Sequence, residues 1–469
     1  MVVPLLVVAT FVLYVVFALQ QHRHFRTAVY DLALFDQAVR HYAHFQAPTM
    51  PAKFHDGLGM NFLQLGDHFS PILALLAPAY WIYPHATVLL VAQAFLIAVS
   101  GVPVWMFARR RLGLRAAYLV TIGYLLSWGL QAALAVDFHE VAFGVPLMAF
   151  AIERADAGRL KTAVVAALAL LLVKEDMGLV VAAFGVALML KRHWRPGLAA
   201  FAGGVIGFEL ITRWAMPTLS GHHYEYWTMS KVGSGIGGVV GHIVTHPIAT
   251  AHLALSPSVK WHTLLWLFAP WAFLALFSPY VLPVLPVLGE RMLGVKPEYW
   301  TTGHQYNAIL MPIVVLASVD GLLRVRALMM RRRRTRAAQR AVTWWPALTC
   351  LTAVGLCAYF PFSYLWAGTE WKTTHTLQAA YDAIQQVPPG VAVAADDRLG
   401  AHLTDRDTVY LLDANPPPVE WMVADVDRAG FPFHHDRFRE ISVVLRYMQQ
   451  YGYRIVFNSH GYVVLRRSP

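Results

Sequence analysis

The chain has 469 residues, of which 57% are hydrophobic and only 14% charged, and its formal net charge is +11. Soluble globular chains carry about a quarter charged residues, so this balance excludes an ordinary soluble fold. Repeated apolar runs between short charged turns read as transmembrane helices, and the positive excess as cytoplasmic loops facing anionic lipid headgroups.

The first run, Val2 to Leu19, lacks a charged leader and a small-residue cleavage site, so it reads as a retained span. A polar burst follows at once, "VYDLALFDQAVRHYAHF" (29–45). As a helix it places Leu32, Phe35, Val39 and Tyr42 on one apolar stripe, with Asp31 and Asp36 about 140° apart on its flanks. At most one of the two aspartates then faces a common cavity. Structural duties are open to both, since Asp31 can cap the helix and Asp36 can pair with Arg40. "LGDHFSP" (65–71) next supplies Asp67 and His68. The segment after it, "PILALLAPAYWIY", spans only about 20 Å as a helix and suits an interfacial position, with Trp81 and Tyr83 as anchors.

Four basic segments set the orientation: "FARRRLGLR" (107–115), "ERADAGRLK" (153–161), "KRHWRP" (191–196) and "RVRALMMRRRRTRAAQR" (324–340). With all four in the cytoplasm, the apolar runs give about eleven crossings, several shorter than a full span. The non-cytoplasmic side then receives loops 21–70 and 216–260, "DFHE", "KED", residues 289–306 and everything after about 365. The basic "QQHRHFR" (20–26) argues for the opposite placement of 21–70, which would require 71–83 to cross. The shortness of that segment favours the outer side.

"DFHE" (137–140) brings Asp137, His139 and Glu140 to a membrane mouth, where Asp137 and Glu140 share a helical face. A divalent metal is compatible with the pair, although no complete ligand set is visible. In "LLLVKEDMGLVV" (170–181), Lys174, Glu175 and Asp176 interrupt two apolar runs. A charge at mid-bilayer costs about 2.5–3.5 kcal/mol, so these three line a wet cavity or a hairpin tip. "GSGIGG" (233–238) has no βαβ context and reads as a loop over a ligand rather than a dinucleotide site. "GHQYNAILMP" (303–312) sets His304 and Tyr306 at a helix mouth near Arg291, positions suited to a phosphate or to interfacial anchoring. The arginine run 331–334 lacks interleaved aromatics, so it reads as a topology anchor and not as a nucleic-acid surface. Cys350 and Cys357 lie two turns apart on one helix and cannot pair there.

The last hundred residues change character. "TLQAAYDAIQQV" and "FREISVVLRYMQQYG" read as helices, and "VAVAAD", "TVYLLD", "VEWMVAD" and "YRIVFN" as short strands. The alternation suggests a small α/β domain with a mainly parallel sheet.

Taken in order, "YDLALFDQAVRH", "GDHFSPILALLAPAYWIYP", "DFHEVAFGVPLMAFAI", "LLLVKEDMG", "LFSPYVLPVLPVLGERML", "HQYNAILMPIV" and "DRLGAHLTDRDTVYLL" resemble an uncharacterised family of bacterial polytopic membrane proteins grouped with the GT-C glycosyltransferases. The resemblance covers nearly the whole chain. It implies a GT-C-like α-helical bundle over 1–364 with an extracytoplasmic α/β domain over 365–469, in the cell membrane. It also implies sugar transfer from a polyprenyl-phosphate-linked donor to an envelope glycan or protein on the non-cytoplasmic face. The superfamily's acidic residue in the first outer loop falls on Asp31, with Asp36 second, as general base. Lys174, Arg291 and His304 would offset charge on the leaving phosphate. The superfamily's usual adjacent acidic pair is missing, since Leu32 follows Asp31. Two readings from other classes stay open: a transporter or flippase working through Lys174, Glu175 and Asp176, and a non-catalytic envelope scaffold working through its C-terminal domain.

Overall fold

A computed structural model describes residues 2–468 except 225, 228, 429, 434 and 435, and leaves aside the side chains of 55 and 56. Helix α1 (Val2–Arg23) shows how the sequence sorts itself against lipid. Tyr14, Phe17, Ala18 and Gln21 form its buried stripe, while Leu5, Val8, Val12 and Val16 stay exposed on the other side. Inside the bundle the helix Leu310–Arg331 is buried all round from Leu310 to Leu322, and the other helices wrap it.

Among the described residues, five helices are long and apolar enough to cross a membrane, by length and composition: Val2–Arg23, Thr87–Leu112, Leu114–Ala135, Trp194–Ser220 and Gln305–Arg331. Four shorter apolar helices accompany them: Pro71–Ile82, Leu160–Leu172, Met177–Leu190 and Ile236–Thr245. The expected eleven separate crossings therefore do not appear as eleven long helices. The runs at 262–277 and 280–290 are the clearest departure. Ser258–Phe268 is helical, but beyond it the chain breaks into 3-10 turns at Ala269–Trp271, Leu274–Phe277 and Pro279–Val281 before Val284–Leu293 resumes. Pro270 and Pro279 interrupt the hydrogen-bond ladder there, and Ala272 and Phe273 take left-handed backbone.

The hairpin Met177–Leu190 to Trp194–Ser220 packs through small residues. A Cβ on Gly204 would lie 2.4 Å from the Gly178 carbonyl oxygen and 2.5 Å from the Ala182 nitrogen. The two backbones touch because neither side chain is there, as in small-residue membrane helix pairs.

The basic turns converge at one end of the bundle. Arg110 reaches Glu153 at 2.8 Å and Asp156 at 3.1 Å, and Arg111 meets Asp156 at 3.4 Å and also pairs with Asp320. Arg324 at 2.8 Å, Lys191 at 3.6 Å and the Ser278 hydroxyl at 2.7 Å complete the ring around Asp320. Segments read in sequence as topology anchors thus also tie four parts of the chain together.

The C-terminal residues form one five-stranded sheet: β1 (Ala392–Ala395), β2 (Thr408–Leu411), β3 (Trp421–Asp425), β4 (Tyr453–Ser459) and β5 (Tyr462–Arg467), in the order β2-β1-β3-β5-β4. β1 runs parallel to β2 and β3, but β5 is antiparallel to both β3 and β4. The expected mainly parallel sheet is thus corrected to a mixed one. The cause is local: His460 and Gly461, both at positive φ, turn β4 straight back into β5. Strand alternation gives the sheet two apolar faces. Ala394, Met422 and Ala424 pack on Val443, Val444 and Tyr447 of the helix Arg437–Tyr451. Val393, Ala395 and Val423 share a second core with the helix His375–Gln385, with Phe25, and with Val29, Ala33, Leu34 and Ala38 of the polar burst. The α/β domain is therefore docked on the segment that follows α1.

Gly204→Val should destabilise the chain by about 1–3 kcal/mol through overpacking, whereas Gly241→Val, which meets nothing within 4 Å, should not. Thermal unfolding in one detergent compares the two. In the sheet domain, burial and then Asp396 raise the Glu440 carboxyl to about 9, and burial raises Asp396 to about 6. Both hold protons more tightly folded than unfolded, so stability falls as pH rises above the ordinary carboxylate range and levels off past about 9. Glu440→Gln should flatten the upper part of that fall in a Tm-against-pH series.

Candidate active site

The polar burst opens with a wide π turn, Val29–Ala33, that runs into helix α2 (Leu34–Ala43). A helix start leaves N–H groups without intrahelical partners, and the N-cap, Ala28, has no side-chain acceptor to offer them. Distant carboxylates take that role. Asp137 accepts the Ala28 N–H at 2.7 Å, while Asp397 of the sheet domain accepts the Tyr30 N–H at 3.0 Å. Asp31, which sequence alone allows as a cap, is instead released from capping. Its Oδ1 lies 3.2 Å from His139 Nε2, and its side chain keeps 35% exposure.

That exposure opens into a cavity of about 410 Å³, within the range of small-ligand sites. His68, on the wall, holds Glu175 through Nδ1 at 3.0 Å, and Glu175 also accepts the Phe69 N–H at 3.2 Å. Asp67 pairs with Lys53 at 3.3 Å and accepts the Tyr226 hydroxyl, and Lys53 donates to the Tyr30 hydroxyl at 2.9 Å. Lys174 enters at 3.7 Å from Glu140. Lys296, His304 and the tilted ring pair Tyr299–Tyr306, 4.6 Å between ring centres, also line it.

The residues expected at the site divide cleanly. Asp31, Asp67, His68, His139, Glu140, Lys174, His304 and Tyr306 line the cavity. Asp36 does not: it is fully buried, bonded to the Tyr80 hydroxyl at 2.6 Å and to Arg40 at 3.2 Å, and ties α2 to the segment 71–82. Arg291 is also corrected, because its guanidinium is spent on the Tyr299 and Thr301 carbonyls and on Asn307 Oδ1, at 2.8–2.9 Å. Glu175 stands behind His68, and Asp176 lies near Glu290, whose proton its charge helps to hold. Asp137 and Glu140 separate, one to the π turn and the other toward Lys174, so the donor set expected for a metal is not assembled. Among the described residues no group of three histidines, cysteines or carboxylates is placed to hold one. "GSGIGG" starts the helix Ile236–Thr245 and lines neither this cavity nor the next.

Lys53, Tyr226 and Asp397 were not singled out for this site. Lys53 carried a faint signal, a lone lysine in an outer loop otherwise rich in histidine and aspartate. Asp397 stands in "AADDRLGAHLTDRDTVYLL" with Asp396, His402, Asp405 and Arg406, a cluster of ionisable groups that a strand end followed by a capped turn explains first.

The electrostatics separate the carboxyls. Burial would raise Asp31, but His139, with His304 and Lys53 beyond it, holds it below the ordinary carboxylate range. It is therefore ionised at neutral pH. Asp137 goes the other way, pushed well up by burial and by Asp31. Burial and Lys174 work against protonation of His68, yet Glu175 and Asp67 raise it above the ordinary imidazole value.

Two further openings flank the cavity. An outer one of about 490 Å³ shares Tyr30, Lys53, Asp67, Tyr226 and Lys296 with it. An apolar groove of about 370 Å³ runs between the helices Met177–Leu190, Ile236–Thr245 and Val284–Leu293, with Glu290 on its wall.

A family model described as predicted membrane protein (DUF2079) matches residues 21–464. Among solved structures, ArnT from Cupriavidus metallidurans bound to undecaprenyl phosphate superposes with a TM-score of 0.53 at 12% identity, covering 98% of this chain and 97% of that one. The apo state of the same enzyme gives 0.50 at 14% identity, with the same coverage. The oligosaccharyltransferase AglB from Archaeoglobus fulgidus, in complex with an inhibitory peptide and a dolichol-phosphate, gives 0.43 at 11% identity and covers 98% of this chain and 74% of that one. ArnT and AglB are GT-C glycosyltransferases, and the likeness to ArnT shows a shared fold. No curated protein matches the chain in sequence.

Glu175→Gln removes the partner that keeps the His68 imidazole protonated. Its titration should move down, because burial and Lys174 are then opposed by Asp67 alone. Histidine-resolved NMR of the labelled protein reads that shift directly.

Proposed function

The chain belongs to the DUF2079 family of predicted membrane proteins, and from that premise we propose that it is an integral membrane glycosyltransferase. It transfers a sugar from a polyprenyl-phosphate-linked donor to an envelope glycan or protein on the non-cytoplasmic face. The observation that carries this reading is an ionised, half-open Asp31 in a polar cavity that Lys174 also lines, beside an apolar groove.

Each part has a chemical role. Asp31, oriented by His139, takes the proton from an acceptor hydroxyl as that oxygen attacks the anomeric carbon. The bond from that carbon to the phosphate oxygen breaks, and the phosphate leaves with the electron pair. Lys174, with His68 and His304 near it, meets the charge that grows on the departing phosphate. The apolar groove receives the isoprenoid chain: its wall residue Glu290 feels the charges of Asp176 and Lys174, so lipid and headgroup sites adjoin.

The ring of ion pairs around Asp320 bears on the transporter reading. It closes the bundle at the end that carries the basic turns, and the cavity does not reach those residues.

Asp31→Asn should lower transfer from a panel of polyprenyl-phosphate pentoses and hexoses by at least about a hundredfold, with Tm unchanged. Lys174→Ala should cost a comparable factor in kcat. Purified protein in lipid nanodiscs is the system. Wild-type protein that consumes no donor, or an active Asp31→Asn, would remove the glycosyltransferase reading.

A further inference from the structure

The turn that carries Asp31 cannot hold itself. Ala28 offers no cap, and the N–H groups at the start of the helix point outward from the bundle's own ladder. Asp137 ties down the start of the turn from the bundle side, through the Ala28 N–H. The residue immediately before Asp31 is held from elsewhere, by Asp397 at 3.0 Å from the Tyr30 nitrogen. We propose that Asp397 is a positioning residue: the C-terminal domain reaches the cavity and sets the direction in which Asp31 points. The assignment rests on the function proposed above for Asp31, and the hydrogen bond itself can be tested without it.

Three features place Asp397 there. It is the first residue of a short helix, Asp397–Gly400, at the carboxyl end of β1. Asp396 anchors that helix start twice, its N–H bonding the Val423 carbonyl at 2.8 Å and its Oδ1 accepting the Arg398 N–H at 2.9 Å. One turn on, Gly400 lies so near the π turn that a Cβ would come within 2.3 Å of Val29 Cγ2. Helix and turn are thus seated by van der Waals contact as well as by a hydrogen bond, with Leu399, Val29 and Ala33 in one core. Asp397 also lines the cavity itself, as does Phe431 from the same domain. A contact serving only to dock the domain need not end on the catalytic turn. Tyr381, whose hydroxyl donates to the Arg23 carbonyl at 2.9 Å, is a docking contact that does not.

The test uses the full chain in nanodiscs, with Asp397→Ala, Asp397→Asn and Tyr381→Phe compared by hydrogen exchange. The asparagine keeps an acceptor oxygen for the Tyr30 N–H, and the alanine does not. Exchange at the amides of residues 28–33 should rise about tenfold or more in Asp397→Ala and stay within about twofold of wild type in the other two. With a polyprenyl-phosphate sugar as donor, Asp397→Ala should lower kcat about tenfold or more with KM within about twofold, and Asp397→Asn should restore it. Unchanged exchange in Asp397→Ala, equal behaviour of the alanine and asparagine variants, or loss of protection throughout residues 391–467 would each overturn the assignment. If exchange responds as expected while wild-type protein consumes no donor, the clamp stands and the glycosyltransferase reading falls.

Discussion

A charged side chain cannot sit in lipid without losing a few kcal/mol, and this chain gathers many of its buried ionisable groups in two places where that loss is avoided. At one end arginines and a lysine ring Asp320, Glu153 and Asp156 so that every carboxylate finds a cation. At the other, carboxylates, histidines and lysines surround an open cavity. The first place is closed and satisfied. The second leaves Asp31 exposed and Lys174 facing open space, and that difference separates a structural network from a site. Helix lengths, breaks and hairpin tips in between follow from bringing charges to one place or the other.

The segment after α1 is the hinge of the architecture. It belongs to the bundle through Asp36 and Tyr80, and to the sheet domain through Val29, Gly400 and a shared apolar core. The C-terminal domain is therefore a wall of the cavity and not an appendage to a membrane anchor. Its carboxyl-end loop, where parallel strands open to ligands in many α/β folds, is turned toward the membrane cavity. The mixed sheet makes this arrangement stable: the β4–β5 hairpin adds two strands, so that helix Arg437–Tyr451 covers one face while the other is free to pack on the polar burst.

Asp31 and Asp36 show how little spacing alone decides. Both are acidic, both lie in one helical segment, and either could be carried over from the GT-C pattern. Asp36 meets a tyrosine and an arginine within reach and disappears into the core. Asp31 meets a histidine across a cavity and stays ionised and accessible. Lys174, Glu175 and Asp176 divide in the same manner, one toward the cavity, one behind His68 and one toward Glu290.

Local sequence determined the membrane class, the apolar stripe of α1, the two helices and four of the strands in the C-terminal domain, and the gathering of acids and histidines in a few segments. These depend on composition and on periods of 3.6 and 2, which are properties of neighbouring residues. The fifth strand was hidden because a two-residue turn left no loop to mark it, and the broken run at 262–290 because its prolines lie within an apolar stretch. Only the tertiary structure decided which carboxylate faces the cavity, which arginine is consumed by carbonyls, and that Asp397 meets Tyr30 across 367 positions. Those outcomes depend on what lies opposite each side chain after folding, and in a polytopic bundle the opposite residue comes from a distant helix or from another domain.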